Sequence, residues 1–173
     1  MTRRVAAILL VAACDRGASK DPPAPMPGSA VAVPDVTSVD WPNRSYELAS
    51  LGTVKATNGR AAFRMVEEDD GVYADQSPTA TGAESSLVLA PAHYADLDGD
   101  SHDEALIPFE MRTAQIDDVQ HLFGVFAYTM REGEPVRIAV VTASTVFDID
   151  GATLTTGDPP KRWRWRAGAF VAE

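Results

Sequence analysis

From Trp41 onward the apolar residues of this chain recur at every second position in short runs, and turn-forming residues interrupt the runs about every ten to fifteen positions. A strand sends successive side chains to opposite faces, so this pattern builds sheets and lays no apolar stripe along a helix. Arg60 to Val66 places Ala61, Phe63 and Met65 on one face and Arg60, Ala62 and Arg64 on the other. Leu122 to Arg131 carries Leu122, Phe126, Tyr128 and Met130 with Gly124 on one side, and Phe123, Val125 and Ala127 on the other. Apolar groups on both sides mark a central strand. Asn58-Gly59 accepts the positive φ angles of a type I′ turn, so Leu51 to Thr57 is expected to pair with Arg60 to Val66 across it. Asp70-Gly71, Glu132-Gly133-Glu134-Pro135 and Asp150-Gly151 are further turns, the second leading into Val136 to Thr142 and the last joining Thr145–Ile149 to Ala152–Thr156. Leu87 to Tyr94 and Ala105 to Met111 are strand candidates whose Pro91 and Pro108 argue for an edge or a bulge. Gln115 to His121 offers at most one or two helical turns. The expectation is an all-β chain with one antiparallel β domain over residues 41–173, a sandwich or curled sheet of roughly seven to nine short strands.

The start of the chain has a different character. Arg3 and Arg4 precede nine apolar residues, Val5 to Ala13, and then the chain's single cysteine, Cys14. A charged start, a short apolar core and small residues before a cut describe a secretory signal, and nine residues are too few to cross a hydrocarbon core of about 30 Å. Val11-Ala12-Ala13-Cys14 resembles the lipobox of bacterial lipoproteins. That resemblance implies a signal peptide over residues 1–13, lipidation of Cys14, and a domain held outside the cytoplasm in the cell envelope, periplasmic if the cell is Gram-negative. Asp15 resembles an inner-membrane retention signal of some lipoproteins, and the choice of membrane stays open. Residues 14–40 read as the lipidated cysteine and a linker, with Pro22, Pro23, Pro25, Pro27 and Pro34 among small and polar residues. Such a segment buries no face, and about twenty residues of it extend up to roughly 60 Å.

Charge narrows the partners. The chain has 15 basic and 25 acidic residues, a formal net charge of −10, and loss of Arg3 and Arg4 makes the remainder more negative. That balance repels nucleic acid and anionic headgroups, so no nucleic-acid partner is expected and membrane attachment must come from acyl chains. With Cys14 committed to lipid, no internal disulfide is available and the core alone must stabilise the fold.

One loop carries recognisable chemistry. Asp96-Leu97-Asp98-Gly99-Asp100-Ser101-His102-Asp103-Glu104 sets oxygen donors at alternate positions: Asp96, Asp98, Asp100, the carbonyl of His102 and Glu104. A hard cation such as Ca²⁺ takes six to eight oxygens at about 2.3–2.6 Å, which this spacing suits. The loop resembles the Asp-rich calcium loops of FG-GAP and VCBS repeat proteins, and the wider segment from Tyr94 to Ile107 resembles uncharacterised bacterial lipoproteins carrying one such loop in a β domain. Ser101 stands where the family has glycine, at a cost of about 1–2 kcal/mol if φ is positive. Ile107 occupies the twelfth position, which excludes an EF-hand. The alternatives are a metal-free turn in which Asp side chains accept backbone N–H bonds, and a catalytic role.

Lys161 to Arg166 alternates Trp163 and Trp165 with Arg162, Arg164 and Arg166. As the last strand it would close the core with its tryptophans while the arginines pair with surface acids, the alternative being a carbohydrate or peptide contact through Trp163 and Trp165. No nucleophile elbow, zinc-binding helix or P-loop occurs, and His93, His102 and His121 lack zinc-ligand spacing. A non-catalytic envelope module with a protein or glycan partner is therefore expected, the alternative being a hydrolase of envelope glycan or peptide that uses Asp98 or Glu104.

Overall fold

The computed structural model describes residues 34–69, 71–115 and 118–173. The signal segment, Cys14, the linker through Val33 and Asp70 of the second expected turn lie outside them. The chain is all-β and antiparallel, as its alternation requires. Thirteen strands are described, more than the seven to nine expected, because several apolar runs divide into separately paired pieces.

The main sheet has seven strands. β3 (Arg60–Glu68), β4 (Gly71–Asp75), β5 (Ala83–Leu89), β7 (Glu104–Gln115), β8 (Asp118–Arg131) and β9 (Glu134–Ala143) run in the order β4-β3-β5-β7-β8-β9, and β6 (His93–Ala95) pairs with β7 beyond the end of β5. The run expected over Leu87–Tyr94 is thus split: β5 covers Phe109–Arg112 of β7, β6 covers Glu104–Leu106, and Pro91 lies in the link. Pro108 falls between these two stretches. Its carbonyl accepts from the Ala90 N–H at 2.8 Å, and a residue's N and C=O point the same way in a strand, so the missing N–H faces the break and not β8. Of Gln115 to His121, where at most one or two helical turns are expected, Gln115 and residues 118–121 are strand, and Ile116 and Asp117 lie outside the described residues. The β7–β8 ladder extends from Ala105↔Tyr128 out to Gln115↔Asp118, a hairpin longer than either neighbouring strand can cover.

Two covers pack on this sheet. Residues 34–56 form one, with short 3-10 turns at Val36–Ser38, Trp41–Asn43 and Ala49–Leu51 around the two-stranded sheet of β1 (Ser45–Glu47) and β2 (Thr53–Lys55). Val36 is buried there, so the fold starts before Trp41 and takes in residues the sequence reading gave to the linker. Asn58 and Gly59 make the expected turn with φ of 51° and 76°, but β2 does not pair with β3; only the single bridge Thr57↔Arg60 spans it. Val54 and Ala56 are drawn into the cover beside Tyr46, and the amide of Gln76 fills the gap, accepting from Lys55 N–H at 2.6 Å and donating to Lys55 C=O at 3.0 Å and Ala62 C=O at 3.3 Å.

The other cover is the meander β10 (Phe147–Asp150), β11 (Thr153–Thr156), β12 (Lys161–Arg166) and β13 (Ala169–Ala172). β12 is therefore not the last strand. Ala167 and Gly168, at φ of 50° and 87°, turn the chain into β13, a turn concealed by the alanine at a position that favours Asn, Asp or Gly.

Each face of β7 and β8 has its own core. Ala105, Ile107, Phe109, Phe126 and Tyr128 pack with Trp41, Tyr46 and Val54 on one side, and Leu106, Val125 and Ala127 with Phe147 and Leu154 on the other. Phe109 stacks on Phe126 at 4.2 Å between centroids, and Tyr46 stacks on Phe126 at 5.2 Å. Gly124 makes room for this column, since a Cβ there would lie 2.3 Å from Phe109 Cζ and 2.8 Å from the Val141 carbonyl oxygen. Gly124→Ala is expected to destabilise the domain by about 1–3 kcal/mol, measured by urea unfolding, and an unchanged midpoint would show that both Phe109 and the Val141 carbonyl give way without cost.

Candidate metal centre

The Asp-rich loop joins β6 to β7, and the ladder pair Ala95↔Glu104 closes it. Its carboxylates organise its own backbone. Asp96 Oδ1 accepts from Gly99 N–H at 2.7 Å and Oδ2 from Ser101 N–H at 3.0 Å; Asp98 Oδ1 accepts from Asp100 N–H at 3.2 Å, and Asp100 Oδ1 from His102 N–H at 2.8 Å. These bonds bend the chain so tightly that Gly99 and Ser101 take φ of 83° and 70°. The strain expected at Ser101 is present.

Glu104 differs from the other acids because it belongs to the sheet. As the first residue of β7 its side chain points inward and is 2% exposed. Oε2 accepts from Leu97 N–H at 2.8 Å and Oε1 from the Thr129 hydroxyl on β8 at 3.2 Å. Burial pushes its carboxyl above the usual range; the Leu97 bond opposes this, Asp98 adds to it, Thr129 opposes it and Asp100 adds again. One carboxylate oxygen each of Asp96, Asp98 and Glu104 lie within 4.8 Å of one another. Two oxygens on opposite sides of a calcium ion stand about 4.6–5.2 Å apart, so one ion can touch all three. Asp100 and His102 fall outside this trio, both exposed. Asp103, next to Glu104, is exposed as well, as strand alternation demands.

The expected division of β12 also appears. Trp163 and Trp165 are half-buried against the second core, while Arg162, Arg164 and Arg166 are exposed, with Arg164 and Arg166 both on Glu173 at 3.4 and 2.6 Å. The two tryptophans then diverge. Lys161 Nζ sits 4.5 Å over the Trp163 ring, whereas Trp165 borders a cleft of about 550 Å³ shared with Asp98, Asp100 and Glu104. Arg131 and Ile138 on that cleft were not anticipated. Ile138 is the extra residue where Ala127↔Ala139 is followed by Tyr128↔Arg137, and no single-sequence signal marks a bulge of this kind. Thr129 was equally hidden, since it meets Glu104 only through the β7–β8 register.

Comparison with protein-family models, with curated proteins and with solved structures gives no match in any of the three.

The raised pKa of Glu104 fixes the sign of its pH effect. An acid harder to ionise folded than unfolded imposes no penalty below its ordinary value near 4.5, and the penalty grows as pH rises through that value to the folded one. Glu104→Gln never ionises, and its amide can still accept from Leu97 and donate to Thr129. In chelator at pH 7 its melting temperature should equal or exceed that of the parent, the gap closing on acidification. A variant much less stable at pH 7 would contradict this account.

Proposed function

We propose that the protein is an extracytoplasmic lipoprotein, tied to a bacterial membrane by acyl chains on Cys14, whose non-catalytic β domain binds calcium in the 96–104 loop and contacts an envelope protein or glycan. The observation that carries the calcium reading is the convergence of Asp96, Asp98 and Glu104, two loop acids and one inward-facing strand residue. Three carboxylates at this separation repel one another, and Glu104 carries a burial penalty as well; a divalent cation relieves both. The hydrogen bonds of a metal-free turn are also present, but each occupies one lone pair of an oxygen and leaves another for a cation. Asp100 and the His102 carbonyl belong to the ligand set by their spacing alone.

The role of such an ion is structural. Calcium would join the loop to the start of β7, and through Thr129 to β8. At 1 mM calcium a dissociation constant of about 0.1 mM adds roughly 1.4 kcal/mol. The hydrolase reading has in its favour that Asp98 and Glu104 line one cleft and that Glu104 is raised in pKa. Against it, the sequence carries no nucleophile elbow, zinc-binding helix or P-loop.

Two measurements test this reading. Calcium, and not magnesium, should raise the melting temperature by several degrees, with the shift lost in Asp98→Asn; no shift at millimolar calcium would sink the metal site. Full-length protein should fractionate with membranes and Cys14→Ser with the soluble fraction, whereas unmodified Cys14 in cytosolic protein would refute the anchor.

A further inference from the structure

We propose that the cleft beside the Asp-rich loop is a saccharide-binding site; this rests on the reading of the domain as a non-catalytic binding module and names the chemistry of its partner. The cleft's volume of about 550 Å³ lies in the range of about 300–1,000 Å³ typical of small-ligand sites. Its walls come from separate parts of the chain: Asp98 and Asp100 from the loop, Arg131 from the end of β8, Ile138 from β9 and Trp165 from β12. Carboxylates and a guanidinium therefore line the same space as an indole.

Each simpler ligand is disfavoured by one of these groups. A wholly apolar molecule would strip water from Asp98 and Asp100 without replacing their hydrogen bonds. A lysine- or arginine-bearing ligand would meet Arg131, whose side chain has no partner among the described residues. An extended peptide adding to the edge strand β9 would meet the bulge at Ile138, which breaks the edge where it borders the cleft. A pyranose ring satisfies all three walls. Its C–H face covers an indole, and its neighbouring hydroxyls donate in pairs to carboxylates and accept from a guanidinium. Trp165 is already oriented, since Phe170 meets it edge-on at 5.1 Å and 74°. With calcium in the loop the ring hydroxyls complete its oxygen shell; without it they donate to Asp98 and Asp100 directly.

The test is isothermal titration of the full-length protein in detergent with chitotetraose, maltotetraose and a GlcNAc–MurNAc disaccharide, each in 1 mM calcium and in chelator. At least one should bind with a dissociation constant on the order of 0.1–1 mM. Binding should weaken at least tenfold in Trp165→Ala and about threefold in Arg131→Ala. Trp165 also packs in the core, so Arg131→Ala, at an exposed residue without a partner among the described residues, decides the matter if Trp165→Ala does not fold. Failure of all three saccharides to bind, or binding unaltered by Arg131→Ala, overturns the proposal even if calcium raises the melting temperature. Saccharide binding that weakens in Arg131→Ala while calcium has no effect upholds the cleft and removes the metal.

Discussion

The β7–β8 pair is apolar on both faces, and most of the architecture answers that fact. A two-stranded hairpin cannot bury Leu106 and Ile107, or Phe126 and Ala127, in the same direction. Two separate covers are needed, and the chain supplies one from before the main sheet and one from after it. The aromatic column of Tyr46, Phe126 and Phe109 joins the first cover to the pair, and Phe147 and Leu154 join the second. Arg137 adds a polar tie on the first side, its guanidinium reaching the Glu47 carboxylate at 2.9 Å.

The candidate metal centre is attached to the same pair. Glu104 opens β7 and its hydrogen-bond partner Thr129 is on β8, so the loop's one buried acid stands on the longest ladder among the described strands. Its Oε2 bond to Leu97 N–H then pulls the loop down onto that ladder, and Leu97 itself packs in the second core. Loop acids on a mobile segment would spread apart under their own repulsion. Here the sheet holds one member in place, and the Asx-type bonds hold Asp96 and Asp98 near it.

Much of this was legible from residue order. Period two gave the all-β class, the central position of β8 and the opposite facing of tryptophans and arginines in β12; Asn58-Gly59 gave its turn. What failed was pairing. The run Leu51–Thr57 carries strand residues, yet nothing local says that Val54 and Ala56 will join Tyr46 in place of Phe63. Gln115 and residues 118–121 lack strong alternation and are strand because the ends of β7 and β8 pair with each other. Ala167-Gly168 turns without a residue typical of its first position. In the site, the oxygen-donor spacing picked out Asp96, Asp98 and Glu104, while Thr129, Arg131 and Ile138 depend on register and a bulge, which are properties of two strands and not of one.

The position of the first cover has a mechanical consequence. Among the described residues Val36 and Trp41 are the earliest buried, and Trp41 Nε1 donates to the Val36 carbonyl at 3.2 Å while Tyr46 Oη donates to the Trp41 carbonyl at 2.6 Å. A pull applied through the preceding residues reaches this clasp first and acts on it one contact at a time, as when adhesive tape is lifted from its end. The ladder of β7 and β8 lies behind it in the path of such a pull. The segment that covers the central hairpin therefore also stands between that hairpin and any load arriving from the N-terminal side.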